Sequence, residues 1–185
     1  MVFLRSAFGR YALVAAIVAA PCTARVHSAQ PSLENDVKAA FLYNFTKYVE
    51  WPSPSPHDEP FRLCVLADAA FSAALDRTIL DESVDGRRLV RGVPRSIDDA
   101  RRCAILYVGN GYAEQGAPLL GAVRDLPVLT VGDGSRFLKQ GGAIGFLLEN
   151  NRVRFDISIN ALQRSGLTAS SKLLRVARSV EGGVQ

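Results

Sequence analysis

The chain has 185 residues, 48% of them hydrophobic, with 22 Lys and Arg against 18 Asp and Glu. Three of the basic residues, Arg5, Arg10 and Arg25, fall in the first 29 residues, which hold no acid, so the rest carries 19 basic side chains against 18 acidic ones. That near balance removes the main electrostatic ground for nucleic-acid binding. No apolar run after residue 30 approaches the ~20 residues that span a bilayer, which argues against membrane insertion.

Residues 1–29 read as a secretory signal peptide. Arg5 and Arg10 form a basic start, Tyr11 to Ala20 is an apolar run, and small residues then allow cleavage after Ala24 or Ala29. A lipid-modified Cys22 is the competing reading, and Pro21 before it fits a lipidation signal badly. Residues 30–185 are then one domain of roughly 155 residues, large enough for a core. Two cysteines remain, Cys64 and Cys103, an even number in an oxidising compartment. A disulfide between them is the expectation, and two buried free thiols are the alternative.

The stretch AAFLYNFTKYVEWP, Ala39 to Pro52, packs five aromatic residues between Phe41 and Trp51. Spacing at 100° per residue gathers Val37, Phe41, Leu42, Phe45, Tyr48 and Val49 on one face, with Ala39, Tyr43, Thr46, Lys47 and Glu50 opposite. This predicts an amphipathic helix docked on a core, capped by Asn35 or Asp36 and ended at Trp51-Pro52. Asn44 borders the apolar face and needs a partner for its amide.

Beyond the proline-rich connector Pro52 to Pro60, short apolar runs alternate with helical spacing. Strands are predicted at Phe61–Ala67, Arg87–Val93 (entered through the Asp85-Gly86 turn), Cys103–Val108 and Pro127–Val131. Helices are predicted at Ala69–Leu80, Ser96–Arg102, Tyr112–Val123 and Ser135–Gln140, and a hairpin at Ala143–Leu148 and Arg152–Ile157. The tail, Thr168 to Val180, reads as a closing helix. The pattern implies a single α/β domain: a largely parallel central sheet, flanking helices and a C-terminal antiparallel hairpin.

Catalytic and cofactor signatures are missing from this frame. Gly109 and Gly111 follow a strand, but Glu114 stands where a dinucleotide fingerprint needs its third glycine. Asp133 and Ser135 sit among glycines without the lysine of a phosphate loop, and read as a turn capping a short helix. His57 lies in the connector, no metal-ligand spacing occurs, and Ser170-Ser171 before Lys172 is read as a helix cap, not a Ser/Lys dyad. The expectation is a protein without enzymatic activity, cofactor or metal. What remains is a polar C-terminal cluster in which Arg152, Arg154 and Asp156 alternate with Val153, Phe155 and Ile157, followed by Asn160, Leu162, Arg164 and Lys172. It reads as an interaction surface built on Phe and Leu anchors, with an ordinary solvated edge as the alternative.

The stretches VKAAFLYNFTKYVEWP, RLCVLAD and GGAIGFLLENNRVRFDISINALQRSGLTASSKLLRVA together resemble the YfiR-like family of exported bacterial proteins, across residues 34 to 180. The resemblance implies a periplasmic repressor that binds the periplasmic sensor domain of an inner-membrane diguanylate cyclase. It would thereby lower cyclic-di-GMP and restrain biofilm formation. It also implies release by an outer-membrane, peptidoglycan-binding lipoprotein, and a homodimer. The family's acidic residue in the R-F-[DE]-I strand and its following arginine, at the lipoprotein interface, correspond to Asp156 and Arg164. Family members often carry a second, closely spaced cysteine pair near FLKQGGAIGF, which this chain lacks. The runner-up function is a periplasmic small-ligand sensor feeding a membrane receptor, its pocket lined by Asn44, Trp51 and the loop after Val131.

Overall fold

The computed structural model describes residues 33–52, 59–134 and 136–183. The leader, most of the proline-rich connector with His57, and Ser135 lie outside the described residues. The chain opens with helix α1 (Leu33–Tyr48) and the short strand β1 (Val49–Glu50). Then β2 (Phe61–Leu66), α2 (Ala69–Thr78), β3 (Ser83–Val84), β4 (Arg87–Gly92), α3 (Ile97–Arg101) and β5 (Ile105–Val108) follow. The third stretch is α4 (Ala113–Val123), β6 (Leu129–Asp133), α5 (Arg136–Lys139), β7 (Ile144–Glu149) and β8 (Arg152–Ser158). The chain closes through α6 (Ile159–Arg164), β9 (Thr168–Ala169), α7 (Ser171–Val176) and β10 (Ser179–Glu181).

Eight strands form one sheet in the order β10-β8-β7-β6-β5-β2-β4-β3. Strands β4, β2, β5, β6 and β7 run parallel, a doubly wound order whose direction reverses between β2 and β5. The β7–β8 hairpin is antiparallel, with Leu148 opposite Val153 and Glu149 opposite Arg152. Its two-residue turn, Asn150-Asn151, holds positive φ at both positions, as does Asp85-Gly86 between β3 and β4. Both match the twist of the strands they join. This is the expected single α/β domain with a largely parallel sheet.

Alternation along each strand feeds two cores. Leu63, Val65, Ile105, Tyr107, Leu129 and Val131 face α1 and α2, while Cys64, Leu66, Leu106 and Val108 face α3, α4 and α5. Burial on both faces explains why these strands are nearly continuous apolar runs. On the second face, a Cβ at Gly132 or Gly142 would approach the Phe137 ring to 2.3 or 2.1 Å, so the two glycines grip that ring. The cap reading of Ser96 and Ser170 holds: each hydroxyl accepts a backbone N–H three residues on.

Three local expectations are corrected. The buried stripe of α1 is Lys38, Ala39, Leu42, Phe45 and Thr46, so Ala39 and Thr46 face inward and Tyr48 is exposed. Helix α1 touches the sheet, α2 and α7 at once, which turns the stripe by about one position. It also begins at Leu33, placing Asn35 and Asp36 inside its first turns. The closing helix stops at Val176, and Ser179–Glu181 becomes an edge strand parallel to β8.

Candidate functional site: the C-terminal surface

Strand β8 leaves the hairpin exposed and ends enclosed. Arg152 and Arg154 lie in solvent, whereas Phe155 and Ile157 are buried in the core under α1 and Asp156 is buried where β10 begins to pair with β8. A carboxylate in that position needs a counter-charge. Arg178, at the entry to β10, supplies it: Nε donates to Asp156 Oδ1 at 2.8 Å, and Nη2 donates to Oδ2. The backbone N–H of Arg178 also donates to the Phe155 carbonyl, and Nη1 lies 3.8 Å from Glu149 Oε1. Hydrogen bonding to Asp156 raises the Arg178 pKa above the ordinary arginine range. The fork-to-carboxylate geometry thus fixes a partly exposed guanidinium over a buried acid.

Helix α6 sorts its residues by face. Ala161 and Leu162 enter the core, Leu162 at 1% exposure, while Asn160 and Arg164 stand one turn apart on the exposed side. Ser158 caps the helix by accepting from Ala161 N. Arg164 Nη2 reaches the Gly141 carbonyl at 3.4 Å, and Asn160 packs so close to Gly182 that a Cβ there would sit 2.7 Å from its amide carbon. Elsewhere in the C-terminal segments Arg152, Arg154, Lys172, Arg175 and Arg178 are exposed, as are the apolar Leu148, Val176 and Val180, with Leu148 and Val180 on the sheet face of Phe146 and Ile157.

Of the four residues expected to meet a partner, Asn160 and Arg164 therefore share one exposed face. Asp156 lies beneath Arg178, and Leu162 packs in the core. The expected anchors Phe155 and Leu162 are both interior, since the sheet and α6 bury them. Arg178 escaped the reading of the sequence because its segment looked helical. The one available signal was an acid within an apolar strand, which requires a basic partner somewhere in the chain.

The other expected residues separate. Cys64 and Cys103 form a disulfide, with Cα atoms 5.8 Å apart, joining β2 to the end of α3. Trp51 packs edge-on against Phe61 and lines a cleft at the N-terminal ends of β2 and β4. Asn44 is half-buried on α1 and lines none of the described cavities. The loop after Val131 lies at the opposite, C-terminal ends of the strands, where Asp133 accepts from Tyr107 Oη and Asn110 N and pairs with Lys38 at 3.0 Å. Asp133 is thus engaged across the strand ends, and Ser135, the other expected cap of α5, lies outside the described residues. No group of acidic, histidine or cysteine side chains suited to a metal occurs among the described residues. No helix among them is long and apolar enough to cross a membrane.

The profile of the YfiR/HmsC-like family matches residues 35–178, from the first turn of α1 through Arg178. The chain belongs to the YfiR/HmsC-like family. Among solved structures, a conserved domain protein from Vibrio cholerae O1 biovar El Tor is similar, with a TM-score of 0.54 at 12% identity. The likeness covers 80% of this chain and 60% of that one, so this YfiR/HmsC-like chain spans less than two thirds of its neighbour's length. At that identity the neighbour speaks for the fold alone. No curated protein matches the sequence.

Proposed function

We propose that the chain is exported by cleavage of its leader and acts in the periplasm as a repressor of an inner-membrane diguanylate cyclase. It binds the cyclase's periplasmic sensor domain, holds the enzyme inactive and so lowers cyclic-di-GMP and biofilm formation. An outer-membrane, peptidoglycan-binding lipoprotein competes for the repressor and releases the cyclase, and the working unit is a homodimer. The observation that carries this reading is the family match over residues 35–178, in a family that is regulatory rather than catalytic.

A repressor of this kind needs no chemistry, only unequal affinity for two states of its target. Moving a cyclase from 1:99 to 99:1 in favour of the inactive state takes a preference of about 10⁴-fold. The exposed α6 face and the Arg178 guanidinium are suited to that task. Arginines held in place by carboxylate or carbonyl partners lose little freedom on binding.

Binding of the mature chain to the isolated periplasmic domain of a diguanylate cyclase from the same organism tests the reading. Arg164→Glu is expected to weaken the complex by at least about tenfold, the worth of one lost charge-assisted contact. Because Asp156 is buried, the matching probe is Arg178→Glu together with a check of folding. Absence of binding at high micromolar concentration would remove the repressor reading.

A further inference from the structure

Open, doubly wound sheets usually meet ligands outside the carboxyl ends of their strands, where the order reverses. Here the reversal lies between β2 and β5 and opens a crevice of about 220 Å³. That crevice is acidic: Glu34, Asp68 and Asp133 line it against Lys38 alone. Lys38 reaches into it from α1, 2.7 Å from Glu34 and 3.0 Å from Asp133.

The excess of positive charge is at the other end. A cleft of about 560 Å³ opens at the N-terminal ends of β2 and β4, within the range of small-molecule sites. Arg62, Arg87, Arg101 and Arg102 line it, against the single carboxylate of Glu59. Arg101 and Arg102 pair with Asp98 and Asp99 of α3. Arg62 and Arg87 have no carboxylate partner among the described residues. Arg87 is fixed nonetheless: it donates to the Glu59 and Pro60 carbonyls and lies over the Phe61 ring. The Cys64–Cys103 disulfide ties the end of α3, with its two arginines, to the β2 side of the cleft.

The wall carries a second, independent signal. The indole Nε1 of Trp51 is buried and has no hydrogen-bond acceptor among the described residues. A buried N–H without an acceptor is costly, and most such groups in folded proteins are satisfied.

We propose that this arginine-lined cleft binds a small multivalent oxyanion, a molecule bearing two or more phosphate or carboxylate groups. Its oxygens engage the guanidinium forks of Arg62 and Arg87, with Arg102 at the opposite wall, and one accepts from the Trp51 indole after a small adjustment of the ring. Planar guanidinium groups match both kinds of oxyanion in two-point contacts. This site stands apart from the α6 surface, so it holds or fails independently of the repressor reading.

Trp51 is the one tryptophan of the chain, so its fluorescence reports on the cleft without a label. The whole mature chain, with residues 53–58 intact, is titrated at low ionic strength with inorganic pyrophosphate, with citrate, and with putrescine as a cation of similar size. Saturable change of the emission with pyrophosphate or citrate but not putrescine is expected, and which anion binds tighter separates phosphate from carboxylate. Arg62→Gln, at an exposed residue without an ion-pair partner, should weaken the binding by about tenfold and leave the unliganded melting midpoint unchanged. The Arg62→Gln/Arg102→Gln pair should weaken it further. No saturable change, an equal response in the variants, or a response to anionic phosphatidylglycerol vesicles alone would overturn the proposal.

Discussion

Lys38 belongs by helical spacing near the edge of the polar face of α1, yet it is 8% exposed. Burial alone lowers a lysine pKa, but here hydrogen bonds to Glu34 and Asp133 outweigh it, and the group ends above its ordinary 10.5. Tyr107 beside it moves the same way: burial, then the Asp133 carboxylate that accepts its hydroxyl, pushes the phenol far above its ordinary 10.0. Both groups therefore have higher pKa values folded than unfolded. Their contribution to stability is complete below about pH 10 and is lost as pH rises further. Urea midpoints measured against pH should decline above pH 10, and Tyr107→Phe should remove part of that slope. A midpoint that stays level to about pH 11 contradicts this assignment. None of this was legible in the sequence, because a lysine's partner 95 positions away is a product of topology, not of local pattern.

At the scale of elements, α1 is the helix on which the first core is organised. Phe45 is fully buried and its ring meets those of Phe41, Phe146 and Phe155. Phe45→Ala should cost about 3–5 kcal/mol of unfolding free energy, measured in urea. An unchanged midpoint would mean that the helix is not packed as described. The disulfide acts on another element, closing a loop with a sequence separation of 39. Cys64→Ser/Cys103→Ser should lose roughly 2–4 kcal/mol, mainly by freeing the unfolded chain. Equal midpoints for the two forms would show that the bridge adds nothing to stability. Strands with strong apolar runs, such as Ile105–Val108, and turns such as Asn150-Asn151 were legible because local chemistry decides them. The two-residue pair of β1 with β9 and the edge strand Ser179–Glu181 were not. Their segments are too short to carry a period, and each is set by a partner strand far away in the chain.

On the scale of the whole molecule, the polar C-terminal cluster was legible as a surface, but its composition was not. Asn160 and Arg164 emerge together on α6, whereas Asp156 sinks beneath Arg178, and Leu162 turns inward. A strand's alternation shows which residues share a face, while the neighbouring strand and covering helices decide how far that face is from water. The surface and the arginine-lined cleft lie on different elements, so one chain can present a partner face and a ligand face. The central claim is that this chain represses a membrane cyclase by binding its periplasmic domain. The most direct test is cyclic-di-GMP synthesis by the full-length cyclase reconstituted in lipid, with the mature chain added on the periplasmic side. Synthesis that falls saturably with the added wild-type chain, and falls much less with Arg164→Glu, is the predicted result. Synthesis that is unchanged at concentrations saturating for binding would contradict the claim.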